Sequence, residues 1–216
     1  MTNMKKIILF ALVVSSVNLA QAQSEKFNVA MKMNISSIDS SYTSPQNLLS
    51  LSNSFERIAN AEKNQWLPYY YAALMQLNCG FMQKDKSGGD QFADKASSLL
   101  QKADSLMPNN SEISCLKSMI ATVRMLVQPQ ARYMQYGPDI ETNLKAAKKQ
   151  NPSNPRPYYL KGENLKNTPE QFGGGCAAAS ESLETAKEKF SSFKPASDLS
   201  PNWGAQRLNM LINACK

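Results

Sequence analysis

The side chains in this sequence that could do chemistry are tyrosines, cysteines and scattered carboxylates, because its 216 residues include no histidine. Without an imidazole there is no Ser-His-Asp or Cys-His nucleophile pair and no histidine ligand for zinc. Carboxylates such as Glu56, Glu62 and Asp90 fall on predicted helix surfaces, where a solvated charge is the ordinary state. We therefore expect neither an enzyme nor a metal site, and no bound cofactor.

The four cysteines show neither CxxC nor zinc-type spacing. Cys176 opens a predicted helix, and Cys215 ends the antiparallel helix that follows it, so both should lie at the same edge of the fold. We predict a Cys176–Cys215 disulfide. Cys79 and Cys115 would be offset by about 10 Å along roughly parallel helices, too far for a bridge. These two are expected to be core thiols.

Two glycine runs, Gly88-Gly89 and Gly173-Gly174-Gly175, precede predicted helix N-termini. Free N–H groups at such a position could hold an anion. Neither run has Walker spacing, so a nucleotide loop is not indicated. Turn chemistry is the alternative, since glycine allows positive φ between packed helices. The loops at this edge could also form a second surface from Arg132, Tyr133, Tyr136 and Phe172.

The first 22 residues have the order of a secretory signal peptide. A charged start with Lys5 and Lys6 leads into an apolar run over residues 7–14, and Ala20-Gln21-Ala22 follows. We predict cleavage between Ala22 and Gln23, which leaves residues 23–216 as one exported domain, periplasmic or secreted. The apolar run is shorter than the roughly 20 residues that a membrane-spanning helix needs.

The formal net charge of +7 comes from scattered lysines and arginines rather than from one basic face. A nucleic-acid-binding protein concentrates such residues on one surface. We therefore expect no nucleic-acid partner and no membrane span.

The spacing of apolar residues predicts a chain of helices, and strand alternation is scarce. Ser44-Pro45 marks a helix start, with a capping hydroxyl followed by proline at the first helical position. Further helices are predicted at 67–83, 90–107 and from Ser111 to before Pro129, followed by a loop through residues 132–136. A helix then starts at residues 137–139, two more follow, and the last runs from Pro201 to Cys215.

A short pattern returns along these helices, in which an alanine is followed five residues later by an aromatic residue or a proline. It begins at Ala61, Ala103 and Ala147, with a weaker copy at Ala186. Repetition at this period predicts stacked helical units, because one helix pair alone cannot bury its apolar face.

The repeat resembles the tetratricopeptide repeat, with an aromatic opening, a small residue four positions later and an Ala-apolar-Ala core in the second helix. The best match covers residues 154–187, through Tyr158, Gly162, Leu165, Ala179, Leu183 and Ala186. The mature chain also resembles exported helical-repeat proteins of Bacteroidetes-type bacteria, in the stretches 55–59, 66–71, 168–175 and 201–204. This resemblance implies a binding or scaffolding role rather than catalysis.

The predicted fold is an all-α, short right-handed solenoid of TPR type, with about four antiparallel helix pairs and a C-terminal capping helix. Neighbouring residues on a helix point about 100° apart. The register therefore places Tyr69 and Tyr158 in the core and turns other side chains toward the concave face: Tyr70, Asn78, Tyr159, Glu163 and Lys166. Core packing of the tyrosines is the alternative.

We expect the concave face to bind a protein or peptide partner, which makes the chain an exported scaffold. The alternative function is a small-molecule or anion-binding accessory protein of a periplasmic uptake system, which would use the glycine-edged loops.

Overall fold

A computed structural model describes residues 25–216. The predicted signal peptide, residues 1–22, lies outside the described residues. The described part is all-α and contains no strand. Its helices are α1 (residues 25–36), α2 (Ile38–Ser41), α3 (Pro45–Ala61), α4 (Trp66–Met82), α5 (Gly89–Leu106), α6 (Ser111–Val127), α7 (Pro129–Gln150), α8 (Arg156–Asn167), α9 (Gly175–Ser192) and α10 (Ala205–Asn213). A 3-10 turn, Glu170–Phe172, precedes α9.

Helices that follow one another in the chain pack side by side, α3 against α4, α4 against α5, α6 against α7 and α8 against α9. Helix α6 also contacts both α4 and α8, so these three helices form one inner row. Helix α4 is the most enclosed of them, because every residue from Pro68 to Leu77 is buried. The inner row is therefore a surface on which other parts of the chain can pack.

Local sequence signals account for several helix starts. The Ser44 hydroxyl accepts a hydrogen bond from the Asn47 N–H, and Pro45 occupies the first helical position, where no N–H is needed. The Asn110 side chain caps α6 in the same way, accepting from the N–H groups of Glu112 and Ile113. Both caps satisfy donors that would otherwise have no partner at a helix end.

The predicted loop through residues 132–136 is wrong, because α7 is continuous from Pro129 to Gln150 and contains Pro138. Pro129 starts the helix, and the N–H groups of Ala131 and Arg132 both donate to the Gln128 carbonyl. Arg132 is further fixed by an ion pair with Asp90 at 2.8 Å. The Gly137-Pro138 pair, which reads as a helix start, lies inside a helix that had already begun.

The last helix is also shorter than predicted. Residues 193–204 are irregular and form what we call the strap, and α10 begins only at Ala205. Gly204 has φ +109°, a conformation that a helix cannot continue through.

A disulfide joins Cys176 at the start of α9 to Cys215 just after α10, the pairing that the sequence predicts. Cys79 and Cys115 are free and buried. The strap and α10 are therefore attached covalently at their far end. Among residues 25–216, no helix is both long and apolar enough to cross a membrane.

Candidate functional site

The strap lies against the inner row of helices, and two side chains hold its main chain. The Tyr71 hydroxyl donates to the Leu199 carbonyl at 2.9 Å, and Arg156 Nη2 donates to the Pro201 carbonyl at 2.7 Å. Leu199 and Pro201 are buried while Asn202 is exposed, and the Ser200 N–H donates to the Ser197 carbonyl in a turn that contains Leu199. The strap therefore covers the part of the predicted concave face that contains Tyr70.

A buried charge network lies beneath the strap. The Glu112 carboxylate accepts hydrogen bonds from the Tyr70 hydroxyl at 3.0 Å, from Asn154 Nδ2 at 2.7 Å and from Arg156 Nη1 at 2.9 Å. Burial raises the pKa of Glu112, and the Arg156 charge acts against that shift. Burial, followed by the Glu112 charge, raises the pKa of the Tyr70 hydroxyl well above its ordinary value. The network therefore joins α4, α6 and α8 through one carboxylate.

Arg156 connects this network to the strap. Its side chain is 0% exposed, and its guanidinium lies 4.8 Å from the Phe193 ring centroid and 5.2 Å from that of Trp203. The Trp203 indole N–H donates to the Tyr70 hydroxyl at 2.7 Å. An enclosed cation with aromatic and carboxylate neighbours is a structural centre, because no ligand can reach it while the strap is in place.

A second polar group lies where α8 and α10 meet, and we call it the Glu163 cluster: Tyr42, Asn78, Tyr159, Glu163 and Arg207. The Tyr159 hydroxyl donates to Glu163 Oε2 at 2.8 Å, and Arg207 Nε donates to Glu163 Oε1 at 3.0 Å. The Arg207 side chain is 56% exposed and that of Glu163 is 21% exposed. Unlike the network under the strap, this cluster is open to solvent.

Tyr42 and Asn78 extend the cluster toward α2 and α4. Tyr42 as a whole is 42% exposed, and partial burial of its hydroxyl is the main cause that raises its pKa to about 12. The nearby charges of Asp39 and Glu163 raise that pKa further. The Asn78 amide lies close enough to lower it, but its buried Nδ2 is not in hydrogen-bonding geometry with any partner. The cluster thus combines an accessible aromatic ring, a cation and an unpaired buried donor.

The Gly173–Gly175 run fits turn chemistry. Gly173 and Gly175 have φ of +81° and +90°, and a Cβ at Gly174 would overlap the Thr168 carbonyl oxygen. Glycine at these positions is explained by backbone conformation and space.

Comparison with solved structures identifies a close relative. The HusA haemophore from Porphyromonas gingivalis is 35% identical to this chain, with a TM-score of 0.78 over 88% of this chain and 92% of that one. The chain belongs to the HusA haemophore family. No protein-family model matches the chain, and a search of curated proteins finds no match. The relative is an all-helical binding protein from a member of the Bacteroidetes.

The structure corrects the prediction for the two tyrosines that were expected to line an open groove. Tyr70 is 0% exposed and Tyr159 is 5% exposed. Tyr70 is covered by the strap, and Tyr159 packs against Trp203 with ring centroids 6.2 Å apart. Core packing of these tyrosines, the alternative to an open groove, agrees with their burial.

The other predicted residues of the concave face have separate outcomes. Asn78 and Glu163 are brought together with Tyr159 in the Glu163 cluster, and Lys166 follows Glu163 by three positions on α8. Tyr69 is buried as predicted, whereas Tyr158 is only half-buried.

The four residues of the expected loop-edge surface lie on regular structure instead of a loop. Arg132, Tyr133 and Tyr136 belong to α7, and Phe172 ends the 3-10 turn. Arg132 is engaged by Asp90, while Tyr133 and Phe172 are well exposed.

Sequence reasoning missed the residues at the centre of both groups, notably Glu112, Arg156 and Arg207. One signal for the buried network was available. Glu112 follows Tyr70 by 42 residues and precedes Arg156 by 44, which is the repeat period. Polar residues at equivalent positions of successive repeats stack on one another, so this spacing could have indicated the network. No comparable periodicity marks Arg207, which lies beyond the repeats.

Proposed function

We propose that the mature chain is an exported haem-binding protein that captures its ligand outside the cytoplasm. The supporting observation is the 35% identity to a haemophore over nearly the whole of both chains. This favours the small-molecule alternative over a protein scaffold. It also moves the expected site away from the Gly173–Gly175 loop, where backbone conformation and space explain the glycines.

The chain's own chemistry limits how haem would be held. No histidine is present, so an axial imidazole ligand is excluded. Among the described residues, no group of three or more Cys, Asp and Glu side chains is placed to hold a free metal ion. We propose that recognition rests on the apolar ring system and the carboxylates of haem.

The Glu163 cluster fits these requirements best. Tyr42 offers a partly exposed ring, and Arg207 offers an accessible guanidinium for a carboxylate. Met210, which is 53% exposed, lies three residues after Arg207 and so on the same face of α10. Lys166 adds a second cation on the neighbouring helix α8. We propose this cluster as the binding site.

Absorbance titration of residues 23–216 with haemin tests the function. A saturable shift of the Soret band at one equivalent is the expected result. Two variants serve as probes and one as the control: Tyr42→Ala and Arg207→Gln should weaken binding, while Tyr133→Ala on α7 should not. If haemin binding is weak and non-saturable, or equal in all three variants, the proposed function or its site is wrong.

We propose further that residues 1–22 are a signal peptide and that the helix pairs form a short solenoid of TPR type. The three-helix inner row and the packing of successive helices support the solenoid. Mass spectrometry of the protein exported by its native host tests the leader, because cleavage between Ala22 and Gln23 fixes the mass of the mature chain. An uncleaved or differently trimmed N-terminus would contradict it.

Binding of a protein partner is a second candidate, favoured by adjacent exposed side chains on α7. Tyr133 and Met134 are 58% and 82% exposed. Neighbouring positions on a helix point about 100° apart, so these are two separate exposed apolar side chains on α7 that a partner surface could cover. Cross-linking in the native envelope, with Tyr133→Ala/Met134→Ala as the control variant, should lose a specific partner if this surface binds one.

A further inference from the structure

The Glu163 carboxylate is held by donors from two different helices. Tyr159 of α8 donates its hydroxyl hydrogen to Oε2 at 2.8 Å, and Arg207 of α10 donates its Nε hydrogen to Oε1 at 3.0 Å. Trp203 packs edge-on against Tyr159 and fixes the position of that ring. A phenol and a guanidinium that converge on both oxygens of one carboxylate form a carboxylate-binding arrangement.

An arginine–glutamate pair with a tyrosine hydroxyl occurs twice in this fold, once buried under the strap and once exposed to solvent. Glu112 is bound by Arg156, whose side chain is 0% exposed, and the strap covers the pair. At Glu163 the Arg207 side chain is 56% exposed. A partly exposed ion pair contributes little net stability, so exchanging its carboxylate for another costs little. The buried pair, in contrast, cannot exchange without leaving a charge unpaired.

The neighbours of Glu163 suit a ligand that carries both a carboxylate and a flat apolar part. Tyr42 as a residue is 42% exposed, and its hydroxyl lies within the electrostatic reach of Glu163. Lys166 lies one helical turn further along α8, so a displaced Glu163 side chain has a cation at i+3 to turn toward. The site is therefore accessible from solvent at Arg207 and has an apolar surface at Tyr42. It also has a cation, Lys166, that can pair with Glu163 once Glu163 is displaced.

We propose that Tyr159 and Arg207 form a carboxylate subsite that Glu163 fills in the free protein and yields to a carboxylate of the ligand. The inference deepens the proposed function, on which it rests for the identity of the ligand. Glu163 is a specificity-determining residue in this account, because only a ligand with a free carboxylate can replace it. An esterified ligand has no free carboxylate to pair with Arg207, so Arg207 should not increase its binding affinity.

The test compares Glu163→Gln, Arg207→Gln and the control Glu184→Gln, which removes a carboxylate from an exposed ion pair with Lys187 on α9. Each variant is titrated with haemin and with haemin dimethyl ester. We expect Glu163→Gln to bind haemin about 2- to 5-fold more tightly, the range that an exposed ion pair supports. Arg207→Gln should weaken haemin binding by a similar factor. The ester should bind all variants alike.

A second readout does not depend on haem. Glutarate, a small dicarboxylate, is titrated while the Arg207 Nε–H resonance is followed by NMR. The resonance should shift at lower glutarate concentration in Glu163→Gln than in the wild type and in Glu184→Gln. If the Arg207 resonance shifts at lower glutarate concentration in Glu163→Gln while haemin fails to bind, the carboxylate subsite is supported and the proposed function is wrong. No preferential shift in Glu163→Gln, or equal effects of the variants on haemin and its ester, overturns the subsite.

Discussion

Replacing Arg156 by Met should remove a large part of the stability of this fold. The side chain is 0% exposed, pairs with Glu112 at 2.9 Å and donates to the Pro201 carbonyl at 2.7 Å. Breaking a buried ion pair from one side costs about 3–5 kcal/mol, because the remaining charge stays buried without its partner. A domain of this size loses about 2–4 °C of melting temperature per kcal/mol, so the expected decrease is about 6–20 °C.

Thermal unfolding followed by far-ultraviolet circular dichroism, with the disulfide intact, measures this decrease. Lys32→Gln is the matched control, since it also removes a cation that contacts the strap, through Asp198 at 2.8 Å. Both of those side chains are more than half exposed, so only a small change is expected. The double variant Glu112→Gln/Arg156→Met should recover part of the loss. If Arg156→Met unfolds at the same temperature as Lys32→Gln, the strap is not anchored by the buried pair.

Three further perturbations test other parts of the fold. Cys215→Ser opens a covalent loop that spans 39 residues, and it should lower the free energy of unfolding by about 4 kcal/mol in chemical denaturation; an unchanged value would mean that the bond adds nothing. Gly162→Ala should destabilise by about 1–3 kcal/mol, because its Cβ would lie 2.5 Å from Leu183 Cδ2; an unaffected variant would refute close packing of α8 on α9. Leu183→Ala should cost less in the Gly162→Ala background than alone, because the added methyl group then fills part of the cavity. Raising the pH should leave the fold stable to about pH 10. The buried tyrosine hydroxyls have a higher pKa in the folded protein than the value of about 10 in the unfolded chain. Their contribution to stability is therefore complete below about pH 10 and is lost as the pH rises further. Tyrosinate absorbance should then show at least three of the eight tyrosines ionising only as the helical signal collapses, and ionisation of all eight before unfolding would contradict the burial of Tyr70, Tyr71 and Tyr159.

Local features of this fold were predictable because they depend on short-range signals. The Ser44 cap, the limits of α6 and the burial of Tyr69 follow from capping chemistry and helical periodicity. The disulfide follows from the order of the last two helices. Each of these inferences uses neighbours in sequence or one period of the repeat.

The strap was not predictable by the same reasoning. Its contacts join residues 45 to 166 positions apart, and no periodic pattern marks residues 193–204. A proline and an aromatic residue at 201–203 resemble the helix openings elsewhere in the chain. In the fold these residues belong to an irregular segment that lies against the inner row of helices. The position of Arg207, and with it the Glu163 cluster, depends on that segment.

The continuous helix α7 shows a different limit. Pro138 lies inside it, although proline usually marks a helix start or end. The ion pair between Arg132 and Asp90 is a tertiary contact that holds the first turns, and local propensity does not report it.

The central claim is that haem binds at the Glu163 cluster, and paramagnetic broadening of amide NMR signals by bound haemin tests it most directly. Residues 23–216 are titrated to one equivalent, and the loss of each assigned amide signal is mapped on the structure. The account predicts that signals of Tyr42, Glu163 and Arg207 disappear first, while those of Tyr133 and Phe172 persist. Broadening centred on α7 or on the 3-10 turn, or spread evenly over the surface, would contradict it.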